Sequence, residues 1–172
     1  MKFYLAPQIN LQLHLDGKLN KPFWHDVPWT DDFIDIQGEH HTKPRFRTRA
    51  KMAWDHEHFY ICAELEEPHV WATLTEHDSV IFHDNDFEVF IDPNGDNHMY
   101  AEFEINALNT TWDLLLARPY RDGGPAIDGF ELHGIRTAVH VDGTINDPSD
   151  TDKGWSVRSE EHTSELQSRQ YL

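Results

Sequence analysis

Between Asp84 and Asn106 the chain reads DNDFEVFIDPNGDNHMYAEFEIN, with carboxylates and aromatic rings recurring at alternate positions. Taken as two strands around a turn, successive residues fall on opposite faces. Phe87, Val89 and Ile91 then share one face with Ala101, Phe103 and Ile105, and burial of each large side chain is worth about 1.5–3 kcal/mol, which sets the register. The other face carries Glu88, Phe90 and Asp92 from the first strand, and Tyr100, Glu102, Glu104 and Asn106 from the second. Carboxylates opposed across strands repel one another unless something sits between them. A cation, an arginine or the hydroxyls of a sugar would serve. Arg45, Arg47 and Arg49 of PRFRTRA alternate onto one face and offer an internal answer, a Glu/Arg ladder on a solvated sheet. A bound ligand is the other reading.

Aromatic side chains add to the second reading. Of the 6 tryptophans, most belong in a core, Trp54 before its turn among them. Trp71, in EEPHVWATLTEHD, lies in a polar loop. A ring exposed there can stack on the apolar face of a pyranose while carboxylates and amides hold its hydroxyls, a mixture suited to a neutral polar ligand.

Other chemistries find less support. The 13 histidines include His40–His41, His56/His58 and His77/His83, none at a zinc spacing such as HExxH. The single cysteine, Cys62, excludes an intrachain disulfide and a cysteine-based zinc site, and reads as a small buried hydrophobe in FYICAEL. Asp92–Asp96 (DPNGD) is a hairpin turn rather than an EF-hand loop, because its Gly comes too early and no Glu closes the frame. Calcium held by Asp84, Asp86 or the acids of 147–152 stays open. No GxSxG or phosphate-binding glycine loop is present, and acid pairs are too plentiful for one to mark a glycosidase.

These groups must be positioned by strands. The 172 residues suffice for one domain. A net charge of −17 disfavours nucleic acid and anionic membranes as partners, and chiefly keeps the surface soluble. No apolar stretch has the length of a membrane span, and the N-terminus lacks a secretory h-region. Strands are expected at Gln12–Leu15, Lys51–Asp55, Phe59–Leu65, Asp86–Asp92, Ala101–Ile105, Trp112–Leu116, Phe130–His133, Arg136–Val141 and Gly154–Val157, with turns rich in Asp, Gly and Pro between them. Helical turns are expected near Lys21 and Thr75. Many short strands of this kind predict an all-β fold, an antiparallel β-sandwich of two sheets in the jelly-roll or immunoglobulin-like manner. Beyond Val157 the pattern stops. Arg158–Ser168 resembles a translated sequencing adapter, so residues 158–172 are read as a non-native tail and 1–157 as a single domain lacking its C-terminal part.

Taken in order, LDGKLNKPFW (15–24), RAKMAWD (49–55), FYICAEL (59–65), NDFEVFIDP (85–93) and EFEIN (102–106) resemble the family 9 carbohydrate-binding modules. The resemblance covers roughly residues 10–157. It implies a β-sandwich that binds oligo- or polysaccharide without cleaving it, as an extracellular or periplasmic appendage of a glycoside hydrolase, although no signal peptide is visible. It places a stacking ring at Phe82 and the sugar-holding acid at Glu88. Glu104 stands where sugar-binding members carry Arg, and the second ring of their clamp comes later than Val157. The expected site is therefore Phe82, Glu88, Glu104 and Asn106, with Trp71 as an accessory ring and no catalytic residue. The alternative is a haem- or metal-binding sandwich of a related superfamily, with Met52, Met99 or histidines as ligands.

Overall fold

The structure, a computed structural model, describes residues 3–10, 16–38 and 40–162. Alternation of apolar residues produces eight strands: β1 (Thr48–Trp54), β2 (His58–Glu66), β3 (Asp86–Ile91), β4 (Tyr100–Asn106), β5 (Thr111–Leu116), β6 (Ala126–Ile127), β7 (Arg136–Asp142) and β8 (Gly154–His162). They form two four-stranded sheets, ordered β1-β2-β8-β7 and β3-β4-β5-β6. Every strand pair is antiparallel. The architecture is the expected all-β sandwich.

One core lies between the layers. Ala50, Ile61, Ala63, Trp155 and Val157 from the first sheet meet Phe87, Ala101, Phe103 and Ile105 from the second. These are the inward positions of each alternation, so the period-two pattern and the sandwich are one fact. A short helix, α1 (Pro22–His25), begins with Pro, whose missing N–H costs nothing at a helix start. It covers the outer face of the first sheet, where Trp24 and Val27 pack on Ala53, Tyr60 and Cys62. Cys62 is fully buried, and burial pushes its thiol up to about 12, consistent with a small core residue.

Several details differ from expectation. The segment Phe130–His133 is a loop, anchored where the Leu132 N–H donates to the buried Asp113 carboxylate. Asp113 faces inward on β5, opposite Phe103, so the loop brings a backbone donor to a carboxylate that burial would otherwise strand. The helical turn expected near Thr75 occurs instead as a 3-10 turn at Ile81–His83. Trp54 ends β1 with its ring partly exposed and its Nε1 donating to the Ala6 carbonyl. β8 continues past Val157 to His162, because it is a central strand hydrogen-bonded on both sides and main-chain pairing is indifferent to side-chain type. It opens at Gly154, φ +139°, where a Cβ would strike the Leu65 carbonyl oxygen. The strand expected at Gln12–Leu15 lies outside the described residues. Among those residues no helix is long and apolar enough to cross a membrane.

Candidate functional site

The inward register of β3, β4 and β5 forces the alternate residues onto the outer face of the second sheet. Across that face, Glu88 pairs with Glu104 and Glu104 with Trp112; one rung along, Phe90 pairs with Glu102 and Glu102 with Leu114. Asp86, two residues before Glu88, stands opposite Asn106. Tyr100, Leu114 and Leu116 form a small apolar cluster at the far end, with Trp112 packed against it. The face is thus a carboxylate strip bordered by rings.

Its electrostatics follow from burial. Glu104 is only 2% exposed and Glu102 equally so. Burial, then the charges of Glu88, Asp86 and Glu102, raises the Glu104 carboxyl to about 8, against a partial offset from the Phe82 backbone N–H. Burial and then Glu88 raise Asp86 to about 7. Burial lifts Glu88 as well, tempered by its hydrogen bond with Asp86. Burial also raises Glu102, although the Tyr120 hydroxyl donates to it. Every charge acting on Glu104 is negative, so the strip is an electrostatic conflict held in place by the fold.

Phe82 overhangs this strip. It sits on the 3-10 turn, 54% exposed, with its ring centroid 6.0 Å from that of Trp112 and 4.8 Å from that of His83. The turn is fixed by Asp84, whose carboxylate accepts from the N–H groups of Thr73 and Leu74 and from Asn106 Nδ2. Those bonds hold the Asp84 carboxyl below its ordinary range, against the opposing effect of burial.

Phe82, Glu88 and Glu104, expected to act together, are brought together. Asn106 serves another purpose. It is fully buried, its Nδ2 donating to Leu74 O and Asp84, its Oδ1 accepting from Leu108 N and Thr110 N. Its hydrogen-bonding capacity is spent on the loop, and it supports the site from beneath. Trp71 is exposed at 46% on the loop after β2, its N–H and carbonyl both bonded to Asn85. The Glu/Arg ladder is not formed: Arg47 and Arg49 pair with Glu64 and Glu66 on the first sheet, and Arg45 lies over Phe46. Among the described residues no hydrogen bond or ion pair joins a base to Glu88 or Glu104. Of the acids considered for calcium, Asp84 and Asp152 are engaged by backbone N–H groups and Asp147 by Ser149. Met52 packs in the core from β1, whereas Met99 is exposed ahead of β4.

Trp112 and Tyr120 were not among the expected site residues, and Asp86 was expected only as a calcium ligand. Asp86 was within reach of the alternation that gives Glu88. Trp112 required knowing which β5 residue lies beside Glu104, and Tyr120 arrives from a loop that carries no periodic signal.

A concavity of about 510 Å³ lies on the other sheet, lined by residues including Lys18, Arg47, Glu64, Glu66 and Lys153. Its charges are matched internally, Arg47 with Glu66 at 2.8 Å and Lys153 with Asp142 at 3.1 Å. On the carboxylate strip, by contrast, Glu104 Oε2 and Asp86 Oδ2 have no hydrogen-bond partner.

A sandwich carrying an exposed ring above acids on one sheet face has the form of a carbohydrate-binding module. Residues 15–122 match the family described as carbohydrate family 9 binding domain-like, and the chain belongs to that family. Its fold is similar to a family 9 carbohydrate-binding module from Caldicellulosiruptor kristjanssonii in complex with cellotriose, at TM-score 0.59 and 15% identity, covering 91% of this chain and 66% of that one. The corresponding glucose complex gives TM-score 0.59 and 15% identity, with 91% and 68% covered. A putative carbohydrate-binding protein from Bacteroides uniformis ATCC 8492 gives TM-score 0.63 and 15% identity, with 95% and 73% covered. The chain therefore spans about two thirds of the length of the first of these. At such identity the likeness is one of fold. No curated protein matches the chain.

Proposed function

We propose that this chain binds a neutral oligo- or polysaccharide, without cleaving it, on the outer face of β3-β4-β5. The observation that carries the reading is the exposed Phe82 ring, beside Trp112 and above the Glu88–Glu104 rung, in a family of carbohydrate-binding domains. A flat apolar surface stacks on the C–H face of a pyranose, and carboxylates hold its hydroxyls. The net charge of −17 and the acids of the strip disfavour an anionic glycan. Glu88, the exposed member of the rung, is the hydroxyl-holding acid, Trp71 an accessory ring, and Asn106 a positioning residue. The relatives' complexes with cellotriose and glucose support a glucose-type ligand. In that role the chain would tether an enzyme acting on the same polymer. Calorimetric titration with glucose, cellobiose and cellotriose tests the reading: saturable binding that is weakened in Phe82→Ala supports it, and no heat from any soluble or insoluble glycan overturns it.

A further inference from the structure

Asp86, Glu88 and Glu104 each offer one carboxylate oxygen, and the three oxygens lie within 4.8 Å of one another. That spacing matches oxygens held by one ion at about 2.3–2.6 Å each. An acidic cluster alone would be unremarkable. Here the deepest member, Glu104, is 2% exposed, yet its Oε2 has no hydrogen-bond partner, and neither has Asp86 Oδ2. A buried carboxylate oxygen without a donor is costly, and native structures rarely leave one so. Nearby positive groups do not answer it. Arg47 and Arg49 are engaged on the other sheet, and the Tyr120 hydroxyl donates to Glu102 instead.

We propose that Asp86, Glu88 and Glu104 form a binding site for a hard divalent cation of the calcium type on the outer face of β3 and β4. The donors are all carboxylate oxygens, which select calcium-like ions over zinc or copper. Three carboxylates from two adjacent strands occupy one side of the ion. Glu88 is exposed and Asp86 half-buried, so the other side opens toward solvent under Phe82, where water or ligand hydroxyls complete the shell. The cation site shares Glu88 and Glu104 with the proposed saccharide surface, but it is tested separately, because cation binding is measured with no sugar present.

The test uses the full chain stripped of metal with chelator. Calcium chloride titrated by calorimetry is expected to give saturable one-site binding and a rise in Tm. Terbium is expected to bind competitively, with emission sensitised by Trp112. Glu104→Gln is expected to weaken calcium about ten-fold or more, since affinity follows ligand charge count. Glu104→Arg is expected to abolish the response, while Asp147→Asn, a surface acid bonded to Ser149, leaves it unchanged. Circular dichroism establishes that each variant is folded. An unchanged Tm and no saturable heat with wild type at millimolar calcium would overturn the proposal. So would a calcium affinity in folded Glu104→Gln equal to that of wild type.

Discussion

Glu88 and Glu104 stand directly opposite one another across β3 and β4, with Trp112 next along the same rung and the Phe82 ring beside it. The sheet register alone brings like charges face to face. Such an arrangement weakens the fold unless a ligand answers it, which is how a binding surface differs from a stabilising one.

The rings carry the affinity. Phe82→Ala should lower saccharide affinity about ten-fold, the loss of one stacking platform. Its effect on Tm should be small, because the ring is more than half exposed. Trp71→Ala should lower affinity less. Fluorescence titration beside thermal melts separates the two effects.

Metal-free Glu104→Gln should be more stable than the metal-free wild type. The substitution removes a carboxyl that burial, then Glu88, Asp86 and Glu102, raise to about 8, and with it the cost of protonating or ionising that group in the folded state, while an amide brings its own donor to the strip. Urea unfolding in chelator checks this, and a lower midpoint for the variant would count against the conflict described above.

Asn106→Ala should destabilise by about 2–4 kcal/mol, because Leu74 O, Asp84, Leu108 N and Thr110 N all lose a partner. Loop 73–84 should loosen with it. Hydrogen exchange at Thr73 and Leu74 is the direct readout, with faster exchange expected in the variant.

His77 reports on pH. Its Nε2 lies 3.4 Å from Glu131 and 3.3 Å from Asp78. Burial lowers its pKa, but Glu131, Asp78 and Asp113 prevail and hold it above 6.5. The folded state thus binds this proton more tightly than the unfolded chain does. The contribution is fully present below about pH 6.5 and is lost as pH rises through the raised value. His77→Asn should flatten the fall in stability as pH rises above about 6.5. Because the ring is half exposed, the change should be modest and salt-sensitive. Melts across that range in low and high salt check it.

Much of this is legible in local pattern. The alternation in Phe87–Ile91 and Ala101–Ile105 sets faces by itself, so it alone puts Glu88 and Glu104 on a common face. The turn at Asp92–Asp96 is likewise local: Asp92 accepts from the N–H groups of Gly95 and Asn97. Phe130–His133 misleads because its apolar residues serve an anchored loop, in which Leu132 is buried without a strand partner. Asn106 misleads for a related reason. Alternation places it on the site face, but the loop that consumes its hydrogen bonds comes from residues 74 and 84, more than 20 positions away.

What the residues determined unaided was the two-layer sandwich and the face on which acids and rings collect, because side-chain alternation is a property of each strand alone. Only the tertiary structure decided how those charges are answered. Arginines near in sequence fold onto the other sheet, while Trp112, Tyr120 and Phe82 come from separate segments to enclose the strip. Coulombic and hydrogen-bonding partners are chosen by distance in space, and a linear pattern does not encode that distance.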